Sequence, residues 1–473
     1  MNSEDRRLIQ VTPSPRQFAF QQLEFYAFIH FTVNTFTDKE WGDGTENPVI
    51  FNPTQLDAKQ WVRELKAANM KGLILTCKHH DGFCLWPSRF TTHTIAYSPY
   101  RDGKGDIVRE VSDACREEGL LFGVYLSPWD RNQPKYGQGK EYDDYFVNQL
   151  TELLTQYGDV FDVWFDGACG EGANGKKQHY DWDRYYETIR RLQPNACINV
   201  CGPDIRWCGN EAGHTRESEW SVVPARTRDT EKIASASQQM DSVAFREREI
   251  HANDRDLGSR QALRGETELA WYPAEVNTSI RPGWFYHASE DNQVRPLEEL
   301  VQIYCHSVGG NATFLLNIPP TREGLLHAND VARLREFGEW YRRAFQNNLL
   351  EKNAMLSASS CKAGHPVENV LTENDDRYYT TEDGVIQATI EALWSGEQNV
   401  RYIVLKENIL CSQRVERFAL DLKTAGCWQQ VYEGTVIGYK KIVPLDNNSC
   451  EGLRLRILDA RIAPTLSFLG IYG

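Results

Sequence analysis

No run of about 18 consecutive apolar residues occurs in the 473-residue chain, so no helix is expected to cross a membrane. Positive charge is also in short supply. The 52 Lys and Arg stand against 66 Asp and Glu, a net charge of −14. With no basic stretch to offset repulsion from phosphate, nucleic acid and anionic membrane surfaces are excluded as partners. The 12 cysteines form no CxxC pair and no His/Cys cluster at zinc spacing, which removes a disulfide framework and a structural metal site. Cys197, Cys201 and Cys208 come closest to a cluster and read as buried thiols. No GxGxxG or Walker-type loop opens a helix, so a nucleotide site lacks its glycine scaffold. No HxH or HExxH pattern appears either, and His79 and His80, adjacent on an extended segment, are expected to point to opposite sides rather than share a metal. Neither cofactor nor metal is therefore expected. The opening MNSEDRRLIQ has no apolar signal core. The expectation is a cytoplasmic protein, or a periplasmic or secreted one if a signal peptide has been removed.

What remains is a neutral or polar small substrate. The chain is rich in flat rings with one polar handle, 13 Trp and 21 Tyr, which suit both cores and sugar-binding clefts. From about residue 20 to 345, short apolar runs alternate with amphipathic stretches. The runs are FYAFIHF, KGLILT, LFGVYL, FDVWF, ACINVC, ELAWY (268–272) and ATFLLNI; the stretches include LDAKQWVRELKAANM, DIVREVSDACREEG, YFVNQLTELLTQYG and DRYYETIRRLQ. Strand-helix units at roughly forty-residue spacing predict a parallel sheet, and their number favours a (β/α)8-like, TIM-type barrel. Seven strands are legible, so the barrel reads as incomplete or irregular. Beyond residue 348 the texture changes to alternating strands without long helices, which predicts a C-terminal β-sandwich over 349–473.

In a parallel barrel the reacting groups collect where strands end at the carboxyl face. The strand ends of this chain carry His30, His79 and His80, Tyr125, Trp164 and Asp166, and after ACINVCGPDIRWCGNEAG comes Glu211. Two neighbouring imidazoles, a phenol, an indole and two carboxylates make a polar cup with an aromatic wall. That suits a sugar better than a phosphate. Glycoside cleavage needs one ionised carboxylate to attack or stabilise the anomeric carbon and one protonated acid for the leaving oxygen. Each residue also has a plain structural reading: an aspartate before glycine forms turns, a histidine on an apolar strand sits satisfied in a core, and Tyr125 could fill the barrel. Five such groups at five strand ends are harder to explain as packing.

Assembled in order, these stretches resemble the α-L-fucosidases of glycoside hydrolase family 29. The resemblance is carried by FIHFTVNTF with EWGDG, TCKHHDGFCLWPS, GVYLSPWDRN, VWFDGACG, GPDIRWCGNEAG with ESEWSVVP, ELAWYPAEVNTSIRPGWFYH and GGNATFLLNIPPTREGLLH. It implies that Asp166 is the nucleophile and that His30, His79, His80, Tyr125 and Trp164 line a fucose pocket. It further implies that Trp284 walls the sugar's C6 methyl and that Glu40 and Trp41 contact sugar hydroxyls. Glu211 resembles the acid/base of the branch that prefers α-1,3/1,4-linked fucose in Lewis-type glycans, with Glu171, Glu217 and Glu219 as rivals. If Asp166 and Glu211 sit at neighbouring strand ends, the interstrand spacing of about 4.8 Å allows the ~5–5.5 Å carboxyl separation of retaining enzymes. The implied partner is a fucosylated oligosaccharide or glycoconjugate. A barrel glycosidase for another neutral or deoxy sugar and a catalytically silent glycan-binding protein are the alternatives. The tail opening SASSCKAGHPVENVLTENDDRYYTTEDG is similar to discoidin-like, carbohydrate-binding sandwiches, and a structural lid packed on the barrel is the other reading.

Overall fold

A computed structural model describes residues 3–246, 248 and 255–473. Its first sheet has eight parallel strands: β1 (Phe25–Ile29), β2 (Gly72–Lys78), β3 (Leu121–Leu126), β4 (Asp162–Phe165), β5 (Cys197–Val200), β6 (Arg206–Trp207), β9 (Ala274–Ser279) and β10 (Ala312–Asn317), in the order β5-β4-β3-β2-β1-β10-β9-β6. A parallel bridge between Asn199 and Ile205 joins the two ends, so the sheet closes into the (β/α)8-like barrel. At that seam Val200 is held at φ 62°, a left-handed conformation costly for a β-branched residue.

Period-two alternation sorts each strand between two cores. Phe25, Ala27 and Ile29 face outward into the layer shared with the helices, as do Leu73, Leu75, Val124, Val163 and Phe165. Tyr26, Phe28, Ile74, Tyr125 and Trp164 pack together inside the barrel. Continuing that alternation one step past the strand ends brings His30 and Asp166 to the rim on the inner side. The helices form where the amphipathic stretches predict them: Ala58–Ala67, Ile107–Glu118, Lys140–Gln156 and Trp182–Leu192. Three begin at an aspartate, Asp57, Asp106 or Asp181, whose carboxylate accepts a backbone N–H three residues on.

One predicted strand lies outside the barrel. ELAWY gives β8 (Leu269–Trp271), which pairs antiparallel with β7 (Val222–Pro224) in a separate two-stranded ribbon. Trp271 is anchored there by donating Nε1–H to Gln21 Oε1 at 3.0 Å, and Pro273 ends the run. The barrel strand is the next segment, AEVNTS, and the eighth strand is the two-residue β6, too short to read from sequence.

The C-terminal strands form one seven-stranded antiparallel sheet: β11 (Met355–Ala358), β12 (Tyr379–Thr380), β13 (Ala388–Glu407), β14 (Val415–Thr424), β15 (Cys427–Gly434), β16 (Lys441–Ala460) and β17 (Thr465–Tyr472). Runs that read as separate strands merge into two 20-residue strands, β13 and β16, whose pairing shifts between Leu393 and Gln398. The first half of β13 pairs with β11 and the second with β17, so the long strands pass from one layer of the sandwich to the other. In β13 and β17, Ile403, Leu405, Leu469 and Ile471 fill the sandwich core, while Val404, Phe468 and Tyr472 join the barrel's helical layer. Phe345, at the end of helix Ala328–Phe345, lies 5.3 Å from the Tyr402 ring. This face of the sandwich is fastened to the barrel.

Candidate active site

At the carboxyl rim a cavity is lined by His30, Glu40, Trp41, His79, His80, Trp164, Asp166, Glu211 and Trp284 among others. Nine of the ten residues singled out from sequence therefore meet in one place. Tyr125 stands behind the wall, fully buried, stacked on Trp164 at 5.4 Å and on His79 at 5.7 Å. It reaches the cavity through Asp166: its hydroxyl donates to Asp166 Oδ2 at 2.9 Å.

Asp166 follows β4 and keeps 23% of its side chain exposed into the cavity. Ala168 N–H donates to its Oδ1 at 2.8 Å. Burial pushes the carboxyl above its ordinary value, and the donors from Ala168, Tyr125 and Gly167 oppose that rise. Glu211 follows β6 rather than β5, so one strand stands between the two carboxylates' strands and they are not neighbours as the sequence suggested. Both nevertheless line the same cavity. Trp284 Nε1–H donates to Glu211 Oε2 at 3.0 Å. Burial, and secondarily the Asp166 charge, outweigh that bond and push Glu211 up to about 7. A carboxyl so placed exchanges its proton near neutrality, as a general acid/base must.

His79 and His80 do not diverge. β2 ends at Lys78, the chain turns at once, and the two rings lie 4.1 Å apart, both on the cavity. Alternation applies only while the strand continues. The His80 Nδ1 lies 2.7 Å from Ser127 Oγ, and that hydroxyl donates onward to the Trp129 carbonyl. Nδ1 thus carries the hydrogen, leaving the Nε2 lone pair toward Asp166, whose Oδ2 is 3.6 Å away. His30 is set the same way: Asn317 donates its amide N–H to the Trp284 carbonyl, so its Oδ1 accepts from His30 Nδ1 at 2.8 Å. Burial drives His30 down to about 4 and His80 to about 3, so both are neutral hydrogen-bonding groups at neutral pH. His79 is driven well below its usual value for the same reason. Among the described residues, His79, His80 and Asp166 are the group whose ligand atoms, within 4.8 Å of one another, could converge on a cation.

Glu40 lines the cavity but both its oxygens are engaged. Oε2 accepts from Trp284 N at 2.8 Å, and Oε1 from Phe285 N at 3.0 Å and from His287 Nε2 at 2.8 Å. Burial would raise this carboxyl; the His287 and backbone bonds, with Arg246, hold it below the usual range. The Glu40 hydrogen bond in turn lifts His287 to about 9. Glu40 thereby fixes the segment that carries Trp284. Trp41 packs edge-on against His80 at 5.2 Å, and Trp284 lies 5.1 Å from His30.

The other glutamates stand apart from this cavity. Glu219 is buried between Arg206 and Arg216, at 2.9 and 3.1 Å; Glu217 and Glu171 are exposed. Cys197, Cys201 and Cys208 are buried free thiols.

Sequence reasoning missed four residues. Glu275 accepts Trp164 Nε1–H at 2.8 Å and Asn199 Nδ2–H at 3.0 Å, and Tyr26 donates to it as well. Trp207 and Asn277 line the cavity and bond each other at 2.9 Å, and Asn317 sets His30. Glu275 and Asn277 alternate along β9, and polar residues at every second position of a wholly buried strand were the available signal.

A barrel with two carboxylates and a wall of neutral imidazoles and indoles at its carboxyl rim defines a glycoside hydrolase. The sequence profile described as Alpha-L-fucosidase matches residues 14–344. The chain is 39% identical over 471 residues to alpha-L-fucosidase 1 of Arabidopsis thaliana, covering 97% of this chain and 87% of that protein. It superposes with TM-score 0.85 at 30% identity on a Ruminococcus gnavus glycoside hydrolase family 29 fucosidase in complex with fucose, covering 98% of this chain and 95% of that one. A family 29 member from a rumen bacterium matches at 38% identity and TM-score 0.79, over 98% and 77% of the two chains. The chain belongs to the α-L-fucosidase family, glycoside hydrolase family 29.

Proposed function

We propose that this chain is a retaining exo-α-L-fucosidase acting on α-1,3/1,4-linked terminal fucose of branched, Lewis-type glycans, with Asp166 as nucleophile and Glu211 as acid/base. The observation that carries the reading is that Asp166 and Glu211 line one cavity with unequal support for the ionised form: burial raises both carboxyls, Glu211 to about 7, while three donors, from Ala168, Tyr125 and Gly167, oppose the rise at Asp166. Fucose bound in the Ruminococcus gnavus relative supports the same sugar here. The GNEAG stretch carrying Glu211 supports the linkage.

In the first step Asp166 Oδ attacks the anomeric carbon while Glu211 gives its proton to the departing glycosidic oxygen, leaving a fucosyl ester. In the second, Glu211 takes a proton from water, which displaces Asp166 and restores both groups. The lone pairs of His30 and His80 accept sugar hydroxyls, and Trp284 supplies an apolar face. Residues 1–348 carry this chemistry as one domain, with 349–473 as a second packed on it.

Fucose release from Lewis trisaccharides and a 2′-linked fucoside tests sugar and linkage together. Release from the Lewis substrates and not the other supports the reading; the opposite preference refutes the linkage. For the residues, Asp166→Ala should abolish turnover in a folded protein, and azide should rescue Glu211→Ala on an activated substrate with an α-fucosyl azide as product, because azide takes the place of water and displaces Asp166 from the β-linked intermediate. A β-azide, or rescue at Glu217 or Glu219 instead, refutes the mechanism as assigned.

A further inference from the structure

Strand alternation, the ground for expecting His79 and His80 not to share an ion, does not apply to them, because β2 ends at Lys78 and both rings line the one cavity. One ring nitrogen from each and a carboxylate oxygen of Asp166 lie within 4.8 Å of one another. His80 spends its Nδ1–H on Ser127, which passes the bond on to the Trp129 carbonyl, so Nε2 presents a bare lone pair to Asp166 Oδ2 at 3.6 Å. At that distance no hydrogen bond joins them. Two acceptors thus face each other, and a cation between them satisfies both. His79, 4% exposed, adds an independent observation: its Nδ1 finds no hydrogen-bond partner among the described residues.

The three groups are also held in place. Trp41 and Trp129 pack against the His80 ring at 5.2 and 5.1 Å, and Tyr125 and Phe285 against His79 at 5.7 and 5.1 Å. Asp166 is fixed by the Tyr125 hydroxyl and the Ala168 amide. An imidazole whose second nitrogen donates to a fixed acceptor is oriented as metal-ligating histidines are. Ligands on a tetrahedral ion with bonds of about 2.0–2.2 Å stand about 3.3–3.5 Å apart, so the His80–Asp166 pair is already near that spacing, and His79 has to close by at most about 1.5 Å. Two imidazoles and one carboxylate suit borderline-soft divalent ions such as zinc better than magnesium or calcium, which prefer oxygen ligands.

We infer that His79, His80 and Asp166 form an inhibitory site for a borderline-soft divalent cation, represented by zinc; the inhibition, though not the binding, rests on the fucosidase reading. The ion takes the lone pair that His80 offers to a sugar hydroxyl and the oxygen that Asp166 offers to the anomeric carbon. Ion and fucose therefore exclude each other.

The test titrates the full-length chain with zinc chloride by calorimetry, with magnesium and calcium chloride as comparisons. Cys361 and Cys427, the exposed thiols, are replaced by serine in all samples so that they do not bind the ion. Zinc should bind, and magnesium and calcium should not. Asp166→Asn and His80→Ala should each weaken zinc by at least about tenfold, and Ser127→Ala, which frees the His80 ring, by about 10–100-fold. Asp166→Asn keeps the shape of the side chain, so it decides the matter if His80→Ala does not fold. With Asp166 and His80 intact, zinc should inhibit fucose release competitively with the fucoside, and EDTA should restore the rate. Zinc binding that is absent, matched by magnesium, or unchanged in Asp166→Asn overturns the site, as does fucose release that bound zinc does not slow. Zinc binding lost in the variants, with no fucose released from any fucoside by the chain that keeps Asp166 and His80, keeps the ion site and removes the fucosidase reading.

Discussion

Replacing Trp284 by phenylalanine should move the alkaline limb of the activity profile upward. Trp284 Nε1–H reaches Glu211 Oε2 at 3.0 Å and so stabilises the ionised carboxylate, against burial and the Asp166 charge that together hold Glu211 near 7. A hydrogen bond to a charged group is worth about 1.5–3 kcal/mol, and one pKa unit is about 1.4 kcal/mol, so losing the bond raises Glu211 by about 1–2 units. In the proposed mechanism Glu211 must be protonated to assist the leaving oxygen, so activity is expected to fall as pH rises through its pKa. The limb of kcat/KM, near pH 7 in the unmodified chain, should therefore stand about 1–2 units higher in Trp284→Phe. Because kcat/KM reports the free enzyme, the shift is separable from weaker sugar binding, which changes the height of the profile. The assay is kcat/KM against pH with a fucoside of poor leaving-group ability, where protonation is required. A limb that stays in place, or moves to lower pH, would refute the claim that Trp284 tunes the proton donor.

Glu211→Gln should raise the melting temperature at pH 8 but not below about pH 4.5. Its folded value near 7 exceeds the ordinary 4.5, so the folded state binds the extra proton and loses stability as pH rises between the two, up to about 3 kcal/mol; equal shifts at both pH values would contradict this. Tyr125→Phe removes a donor to Asp166 and should move the acid limb of kcat/KM upward, because the ionised Asp166, the proposed nucleophile, loses a stabilising bond; an unmoved limb would show that the bond does not act on the charge. Asp130→Ala should cost about 3–5 kcal/mol, measured as a fall in melting temperature with Lys78→Met as the partly compensating second change. Lys78 Nζ and Asp130 Oδ2, fully buried 2.9 Å apart, would otherwise leave a lone charge behind the two histidines.

The sequence made legible what depends on short-range chemistry. The Asp57, Asp106 and Asp181 caps mark where helices begin, and Gly119, at φ 79°, marks where one ends. Alternation along FYAFIHF places His30 with Tyr26 and Phe28 and apart from Phe25 and Ala27, and that alone puts an imidazole on the inner rim. The errors fall where tertiary context overrides propensity. ELAWY has the better strand composition, yet AEVNTS takes the barrel position, because the burial of Glu275 and Asn277 is made affordable only by Tyr26, Trp164, Asn199 and Trp207, residues distant in sequence. The His79–His80 turn was invisible for a related reason, since strand periodicity says nothing about the residue after the last ladder bond.

Glu40 shows how the two kinds of information combine. Its position in EWGDG placed it at the site, but only the structure shows that His287 and two backbone amides occupy both its oxygens. Its side chain holds the segment whose indole bonds Glu211, so it acts on Glu211 through Trp284. Substituting Glu40 by glutamine keeps the shape but removes one of the two carboxylates that His287 bonds, leaving Asp38 at 2.8 Å. The segment bearing Trp284 would then lose the charge-assisted bond that fixes it, and the Glu211 limb should shift in the same direction as in Trp284→Phe, by a smaller amount. Were Glu40 only a sugar contact, KM would change and the limb would not move.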